Sequence, residues 1–373
     1  MRIAICLLAL CACFFPAGAR SAIICATSSA GLEFALAAAE GNGETDEIRL
    51  TEGAFDAPAG GFEYQAAASE NFDLTISGGW SEFFGNPCGQ QLEGAPATTI
   101  NGQFLERGLE IRMRDSGILR VSRLSFINGL VPDPFRGAGL WVRAEEGFSG
   151  AVFIERNLFF NNEAESSGGL HVGITGSGSV QLHLLNNVFR LNRARQTAGA
   201  GTLLLNGGNA SLLGARVVAL NNTVVSNLVD ATGPDVTGGL DIRGQVPAKW
   251  VVNNNLWGNE GLDLLVKVSL STTFALYNNN YEDSQFTQPP TAQDGNISVQ
   301  PAYENCEGFL CFSGVPLPGT PLHDGGREPG MISPWFPGPV DYRGLPRSNG
   351  ARVDIGAFES HALLFRDRFE VQQ

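Results

Sequence analysis

The stretch that decides the fold is Leu184-Leu-Asn-Asn-Val-Phe-Arg-Leu-Asn192, which returns as Ala219-Leu-Asn-Asn-Thr-Val-Val-Ser-Asn227. Related phrases stand at 120–128 and 154–162, with a shortened copy at 252–259 and a decayed one at 277–281. The closing Asn residues fall at 128, 162, 192, 227 and 259, so the repeat is 30 to 35 residues long. A repeat of this length indicates a solenoid, in which each unit packs only on its neighbours.

A second phrase, rich in glycine, lies between these copies. Its five versions are Gly137-Ala-Gly-Leu-Trp-Val142, Gly168-Gly-Leu-His-Val172, Gly199-Ala-Gly-Thr-Leu-Leu204, Gly238-Gly-Leu-Asp-Ile242 and Gly261-Leu-Asp-Leu264. Each repeat therefore holds about three short β-prone runs, in which apolar residues alternate with period two and form no helical stripe. The sequence predicts an all-β fold, a right-handed parallel β-helix solenoid whose stacked rungs bury one apolar column.

Residues at matching positions of successive rungs are expected to stack in files. The pairs Asn186-Asn187, Asn221-Asn222 and Asn254-Asn255 predict a ladder of hydrogen-bonded amides in one turn. An apolar file beside it is predicted to contain Phe159, Phe189, Val224 and Trp257.

The two ends of the solenoid need caps, because an open end would bind further strands. Thr27-Ser28-Ser29 followed by the Ala-rich run 31–40 predicts an N-capped helix that plugs the core with Leu32, Leu36 and Ala39. After Tyr281 the regular spacing gives way to chain rich in Pro, Gly and aromatic residues, which predicts ordered loops folded over the last rungs. The expected divisions are a signal peptide 1–22, a cap helix 23–46, the β-helix 47–281, a loop-rich C-terminal cap 282–360 and a tail 361–373.

The N-terminus has the pattern of an export signal. Met1-Arg2 precedes the apolar run 3–15, and Ala17-Gly-Ala19 or Arg20-Ser-Ala22 offers small residues for cleavage. Leu10-Cys-Ala-Cys13 is also similar to a lipobox, although the apolar residues that follow favour an ordinary signal. No other segment is long and apolar enough to cross a membrane.

Four cysteines remain after the signal: Cys25, Cys88, Cys306 and Cys311. An even number in an exported chain favours disulfides, and the short 306–311 loop predicts the pairs Cys306–Cys311 and Cys25–Cys88. A zinc site is the alternative, but the paired C-x-x-C or His spacing that it needs is missing.

The net charge of −14 limits the partners. Only Lys249 and Lys267 among the 24 basic residues are lysines, and no basic stripe is present. The chain is therefore a poor candidate for binding nucleic acid or anionic membranes, and we expect no nucleic-acid partner. Capture of polyuronates would need a bridging cation.

Three stretches resemble known β-helix proteins. Glu47-Ile-Arg-Leu-Thr-Glu-Gly-Ala-Phe55 is similar to the opening of proteins of the pectin-lyase-like superfamily. Gly319-Thr-Pro-Leu-His-Asp-Gly325, Asp341-Tyr-Arg-Gly-Leu-Pro-Arg347 and Val353-Asp-Ile-Gly-Ala-Phe-Glu359 resemble the C-terminal signature of bacterial choice-of-anchor Q proteins. Leu363-Leu-Phe-Arg-Asp-Arg-Phe-Glu370 resembles a C-terminal tail of exported Gram-negative proteins, with Arg368 where a Gly is usual.

These resemblances imply a protein that is secreted or held at the outer surface of a Gram-negative bacterium, and they imply no defined reaction. The chain lacks the Asn-Thr-Asp, Asp-Asp and His-Gly set of polygalacturonases. It also lacks the Asp/Arg calcium cluster of pectate lyases.

The glycine-rich phrase predicts which residues face outward on one strand column. If Leu140, Leu170 and Leu240 point inward, an outward ladder follows. Its members are Trp141, His171, Leu203, Asp241 and Asp263, flanked by Arg143, Leu205, Arg243 and Leu265. A Trp, a His, carboxylates and arginines on one ladder are typical of a glycan-binding cleft, although an unliganded sheet also carries polar residues outside.

The leading hypothesis is a non-catalytic, adhesin-like scaffold that binds a polysaccharide, a surface glycan or a protein partner. The alternative is a glycoside hydrolase or polysaccharide lyase that uses Asp241, Asp263 and His171, since neighbouring carboxylates split their pKa values. The glycan-binding candidates are Trp141, Arg143, His171, Asp241, Arg243 and Asp263. No cofactor is expected, apart from calcium if the two Asp residues bridge it, and we expect a monomer without a membrane span.

Overall fold

The computed structural model describes residues 21–68, 70–132, 134–176, 179–207, 214–269, 272–304, 314–329, 335–347 and 350–361. In these residues four sheets, almost entirely parallel, wind into one β-helix, which confirms the predicted solenoid. No helix in this part of the chain is long and apolar enough to cross a membrane. The strands are numbered below in chain order.

Sheet 1 runs the whole length of the solenoid, and its strands pair in parallel except for the β5–β6 hairpin. It contains β1 (Ser21–Ala26), β2 (Thr45–Thr51), β5 (Leu74–Phe83), β6 (Asn86–Gln91), β9 (Ile118–Ser122), β12 (Ala151–Glu155), β16 (Gln181–Leu185), β20 (Arg216–Leu220), β24 (Ala248–Val252), β27 (Thr273–Tyr277) and β29 (Ala292–Asp294).

Sheet 2 follows sheet 1 within each rung and is built of shorter strands. It contains β3 (Gly53–Asp56), β7 (Thr98–Asn101), β10 (Leu124–Ile127), β13 (Leu158–Phe160), β17 (Val188–Arg190), β21 (Thr223–Val225) and β25 (Asn255–Trp257).

Sheet 3 closes each rung, and the small sheet 4 lies between sheets 2 and 3 in the middle rungs. Sheet 3 contains β4 (Phe62–Gln65), β8 (Leu109–Met113), β11 (Leu140–Phe148), β15 (Leu170–Gly176), β19 (Gly201–Gly207), β23 (Thr237–Arg243), β26 (Leu262–Val266) and β28 (Ser284–Phe286). Sheet 4 contains β14 (Glu163–Ser166), β18 (Arg193–Thr197) and β22 (Leu228–Val229).

The core is a column of aliphatic and aromatic files. Phe126, Phe159 and Phe189 stack with ring centroids 5.2 and 4.6 Å apart and nearly parallel planes. The file continues through Val224 to Leu256. The file therefore contains Leu256 and not the predicted Trp257. Neighbouring residues of a strand point to opposite faces, so an error of one position assigned the wrong side chain to the core.

Two asparagine ladders run along the axis inside the turns, and the second consists of Asn162, Asn192, Asn227 and Asn259. In the first, the Oδ1 of each Asn accepts the backbone N and Nδ2 of its predecessor, along Asn157, Asn187, Asn222, Asn254, Asn279 and Asn296. The predicted pair Asn254-Asn255 is therefore corrected to Asn253-Asn254. These buried amides are fully paired along the ladder, so they stabilise the stacking of rungs instead of penalising it.

The N-terminal cap is shorter than the predicted 23–46 and is preceded by β1, which the sequence did not predict. The helix α1 spans Ser29–Ala39, and the Ser28 side chain accepts the Gly31 N at 3.2 Å. Leu32, Leu36 and Ala39 are buried against the first rungs, as predicted. The predicted Cys25–Cys88 disulfide is confirmed and ties β1 to β6. Cys306 and Cys311 lie outside the described residues, as do residues 1–20 of the predicted signal and all but His361 of the tail.

The C-terminal residues 314–329, 335–347 and 350–361, here called the strap, lie along the flank of the solenoid. The prediction that they fold over the last rungs is therefore corrected. The strap packs Trp335 on the outward face of sheet 1 and Tyr342 and Phe358 on that of sheet 2.

A file of side chains at the corner between sheets 1 and 2 binds the strap. Its members have φ between +49° and +56°, and each donates its Nδ2 to a strap carbonyl. These members are Asn186 (to Pro337), Asn221 (to Asp354), Asn253 (to Arg327) and Asn278 (to Gly325).

The stretches 341–347 and 353–359, which resemble a C-terminal signature, form one buried network inside the strap. Arg347, 3% exposed, lies 3.4 Å from a carboxylate oxygen of Glu359 and donates to Asn186 Oδ1. Asp341 accepts the backbone N of Arg343, Leu345 and Glu359. Burial raises the pKa of Glu359 to about 8. These signature residues therefore fold the strap and fasten it to the corner file.

Candidate functional site

The outward face of sheet 3 carries most of the predicted ladder. Register places Trp141 beside His171, His171 beside Thr202, and Thr202 beside Asp241. Arg143 and Arg243 follow two residues later on their strands, on the same face. The structure thus brings together five of the six predicted glycan-binding residues.

The predicted outward residues Leu203 and Leu205 are wrong, since both are buried in the core. Gly201 pairs with Leu170 and Leu240, so it occupies the inward position that a leucine fills on those rungs. The glycine phrase on this rung is offset by one residue, which turns Thr202 and Leu204 outward.

Asp263 is not part of the ladder, and its predicted place beside Asp241 is wrong. A register shift between Thr237 and Leu240 aligns Leu265 with Asp241. Asp263 instead turns into the second asparagine ladder, where Oδ1 accepts Asn259 and Oδ2 accepts the backbone N of Glu282 and Asp283. With four donors on one buried carboxylate, Asp263 serves the fold.

Trp141 is packed among charged residues. The guanidinium carbons of Arg107 and Arg143 lie over its ring, 4.7 and 4.4 Å from the centroid. Both arginines pair with the buried Glu110. A sugar that stacked on this ring would have to displace a guanidinium, so the predicted stacking role is not supported by the geometry.

Asp241 faces outward but is covered. Its Oδ2 accepts Nε and Nη2 of Arg243, while its Oδ1 is buried with no partner in the described residues. Burial raises the pKa of the Asp241 carboxyl against the opposing effect of Arg243. The expectation of an exposed carboxylate is therefore wrong, because the Arg243 side chain lies across it.

His171 lies at the end of a short relay of hydroxyl groups. Ser167 Oγ donates to Thr202 Oγ1 at 2.8 Å and lies 3.1 Å from His171 Nδ1. A neutral imidazole has one nitrogen that donates and one that accepts, so the Ser167 hydroxyl can either donate to Nδ1 or accept from it, depending on the tautomer. Burial, with the charge of Arg136 next, lowers the pKa of His171 to about 3, so the ring is neutral.

These residues line a pocket of about 220 Å³, here called the polar groove, at the junction of sheets 4 and 3. Sheet 4 and its extension supply one wall and sheet 3 the other. The lining residues are Arg136, Ser166, Ser167, His171, Gln196, Thr197, Thr202, Leu204 and Arg243. The Thr197 hydroxyl is buried with no hydrogen-bond partner in the described residues.

No residue of the sheet 4 wall was predicted from the sequence. A usable signal was present, because Glu163-Ala-Glu-Ser-Ser167 and Arg193-Ala-Arg-Gln-Thr197 each precede a glycine phrase. Both have Ala at the second position and a hydroxyl residue at the fifth. Aligned on the structure, Ser166 pairs with Thr197, and Arg136 bridges to Ser166.

A group with metal-binding atoms lies in the strap, away from the polar groove. His323, Asp324 and Asp354 place one such atom each within 4.8 Å of one another. Asp354 already accepts the backbone N of Asp324 and Ser360, and Asp324 accepts that of Arg352, which are contacts that shape the loop. Asp241 and Asp263 belong to separate hydrogen-bond networks, which does not favour the shared calcium ion that the sequence suggested.

No protein-family profile matches the chain, and no curated protein matches it. The solved structure of pectate lyase Pel9A is similar at a TM-score of 0.35, with 12% identity over 92% of this chain and 97% of that chain.

Proposed function

We propose that this protein is an exported, non-catalytic β-helix scaffold of the choice-of-anchor Q type that binds glycan in the polar groove. The observation that carries the proposal is the lining of this groove, which consists almost entirely of hydroxyl, amide, imidazole and guanidinium side chains. The ring of His171 is neutral, and the buried Thr197 hydroxyl has no hydrogen-bond partner in the described residues. Ring and ring-substituent hydroxyls of a sugar supply both donors and acceptors for such atoms.

The charge of the groove favours a hydroxyl-rich ligand that is neutral or acidic. Arg243 is neutralised by Asp241, whereas Arg136 is exposed and has no ion pair among the described residues. A lone exposed arginine can donate to sugar hydroxyls or to an acidic substituent.

The enzymatic alternative required Asp241, Asp263 and His171 to act in one site, and Asp263 is not part of the outward ladder that holds the other two. Asp263 is held by four backbone and amide donors, and Asp241 is closed off by Arg243. His171 remains, but a ring with a pKa of about 3 is a poor general base near neutral pH. We therefore favour binding without turnover, at the cell surface or in the medium.

The test is retention of the purified mature protein on a panel of immobilised polysaccharides, with released reducing and unsaturated ends measured in parallel. Arg136→Gln and Thr197→Val should weaken retention on any polysaccharide that the wild type binds. Arg195→Gln is the matched control, because Arg195 lies on β18 beside the groove but pairs with Glu163 outside it.

Two results would contradict the proposal. Release of sugar ends by the wild-type protein would favour the enzyme. Loss of retention in Trp141→Ala but not in Arg136→Gln or Thr197→Val would place the binding surface on the Trp141 cluster and not in the polar groove.

A further inference from the structure

A second pocket, of about 270 Å³, opens on the outward face of sheet 1 and shares no residue with the polar groove. Hydroxyl, amide and charged side chains line it, with one indole. The lining residues are Glu47, Thr75, Ser77, Trp80, Gln91, Arg120, Ser122, Arg123, Glu155 and Arg156.

Arg123 and Arg156 begin the corner file that the four asparagines continue. Their φ values are +59° and +56°, and their backbone N atoms donate to the next rung, to Glu155 and Leu185. The file reaches the strap first at Arg156, whose Nε donates to the Tyr342 carbonyl at 3.4 Å, and again at Asn186. At Arg123 and Arg156, however, the file presents guanidiniums instead of amides. Stacked side chains of neighbouring rungs lie about 5 Å apart, so two like charges are held close together.

The Arg123 guanidinium is almost buried and poorly compensated. Its side chain is 8% exposed, its Nε is buried without a partner, and it makes no hydrogen bond to a described residue. The nearest carboxylate is Glu93, 3.6 Å from Nη1, which is 69% exposed and also lies 3.5 Å from Arg156. Burying a cation without hydrogen bonds is costly, and a ligand that accepted them would recover that cost.

The charged side chains around the pocket have a net charge of one positive unit. Glu155 pairs with Arg120, and Glu47 pairs with Arg49, so these four cancel. Arg123 and Arg156 then share the single carboxylate of Glu93. A ligand group with one negative charge would balance this net positive charge. A carboxylate is such a group, and it is planar and accepts two parallel hydrogen bonds from the forked guanidinium.

We propose that this pocket binds a small ligand through one carboxylate, with Arg123 as the main contact, Arg156 as the second, and Glu93 as the group that the ligand displaces. The hydroxyls of Thr75, Ser77 and Ser122 line the space for a polar body the size of a sugar acid or an N-acylated amino acid. Sugar acids and N-acylated amino acids both carry such a carboxylate.

Titration calorimetry of the purified mature protein tests the proposal with matched pairs of probes. D-glucuronate is compared with D-glucose, and N-acetylglycinate with N-acetylglycinamide. At least one carboxylate should bind saturably at millimolar concentration while its neutral counterpart does not, and the tighter of the two identifies the source.

Two substitutions make opposite predictions. Arg123→Gln should weaken binding of the carboxylate by about tenfold or more, because it removes the bidentate contact. Glu93→Gln should tighten binding by about fivefold, because it removes a competing charge near the ligand. Glu282→Gln, an exposed acid at the far end of the solenoid, and Arg195→Gln are the controls and should leave the affinity unchanged.

Since Glu93 is exposed, its variant should fold even if Arg123→Gln does not, and it can decide the question alone. Two results would overturn the proposal: no saturable binding of either carboxylate to the wild type or to Glu93→Gln, or an unchanged affinity in Glu93→Gln. Neither result bears on glycan retention in the polar groove.

Discussion

Asn259 donates two hydrogen bonds to one carboxylate oxygen of Asp263, from its backbone N at 3.1 Å and from Nδ2 at 2.7 Å. Asp263 is thereby the terminal acceptor of the second asparagine ladder, which runs through Asn162, Asn192, Asn227 and Asn259. Each side-chain amide in this ladder donates one hydrogen bond from its Nδ2 to the Oδ1 of the next residue of the ladder. A carboxylate, which only accepts, ends it without leaving a buried N–H unpaired.

Asp263→Asn should therefore lower the free energy of unfolding by about 1–3 kcal/mol, the cost of a buried polar group without its partner. The amide nitrogen would face donors at either position, Asn259 on one side and the backbone N of Glu282 and Asp283 on the other. Denaturant titration measures the loss. The exposed Asp283→Asn should stay within about 0.5 kcal/mol of the wild type, and equal stability of the two variants would contradict the terminal role.

The fold could be predicted because its signal repeats. Asn187 and Asn222 return at a fixed spacing, and one ladder of amides suffices to establish parallel stacking. The site was harder to predict because it depends on register within single rungs. Gly201 takes the place of a core leucine, and a local shift moves Asp263 away from Asp241. Neither departure has a repeated pattern to reveal it.

Burial and long-range contacts were also beyond the sequence. The alternation of apolar and polar residues correctly predicted that Asp241 faces outward. It could not predict that the Arg243 side chain covers the carboxylate. The path of the strap depends on contacts such as Arg347 to Asn186, which are 161 residues apart and occur once.

Lys249 lies inside the core column, where it pairs with Val217 and Phe274 of the neighbouring strands. Its Nζ donates to the Gly244 carbonyl at 2.7 Å, and burial lowers its pKa to about 8. Lys249→Met should raise the free energy of unfolding at pH 7 by about 1–3 kcal/mol, because it removes a charge from the core at similar volume.

The pH dependence provides a second measurement for Lys249. Between about pH 8 and 10.5 the folded state has lost the proton and the unfolded state still holds it, so wild-type stability should rise with pH in this window. That rise should be absent in Lys249→Met and retained in Lys267→Met, whose side chain pairs with Asp235 at the surface. Identical slopes in all three proteins would mean that the buried amine is solvated.

His171 should make the stability of the fold depend on pH in the acidic range. Its pKa is about 3 in the folded state against 6.5 when unfolded, so stability should fall as the pH drops through this interval. The slope from one such group is at most about 1.4 kcal/mol per pH unit. His183, whose pKa is lowered to about 4 by burial, adds to it.

Thermal unfolding of His171→Gln and His183→Gln between pH 7 and about pH 4 should show a shallower slope than the wild type. A wild-type slope in His171→Gln would show that the ring is protonated in the folded state.

Arg347→Met should release the strap, because it removes the cation beside the buried Glu359 together with its hydrogen bonds to Asn186 and to the Ala357 carbonyl. Removing one partner of a buried pair costs about 3–5 kcal/mol. We expect faster hydrogen exchange of the side-chain amides of Asn186, Asn221 and Asn253, which donate to the strap, and earlier proteolytic cleavage in the strap. The exposed Arg352→Met should behave as the wild type, and unchanged exchange in Arg347→Met would mean that packing of Trp335 alone secures the strap.

The corner file has a consequence for how this solenoid can vary. Repeat proteins ordinarily gain or lose whole units, because each unit touches only its neighbours. Here one non-repeating segment contacts consecutive rungs at Asn186, Asn221, Asn253 and Asn278. Deleting a rung between them would leave the segment about 5 Å too long and its carbonyls out of step with the amides. The strap thus works as a ruler, and duplication or loss of a unit in this part of the chain would need a matching change in a sequence that carries no repeat.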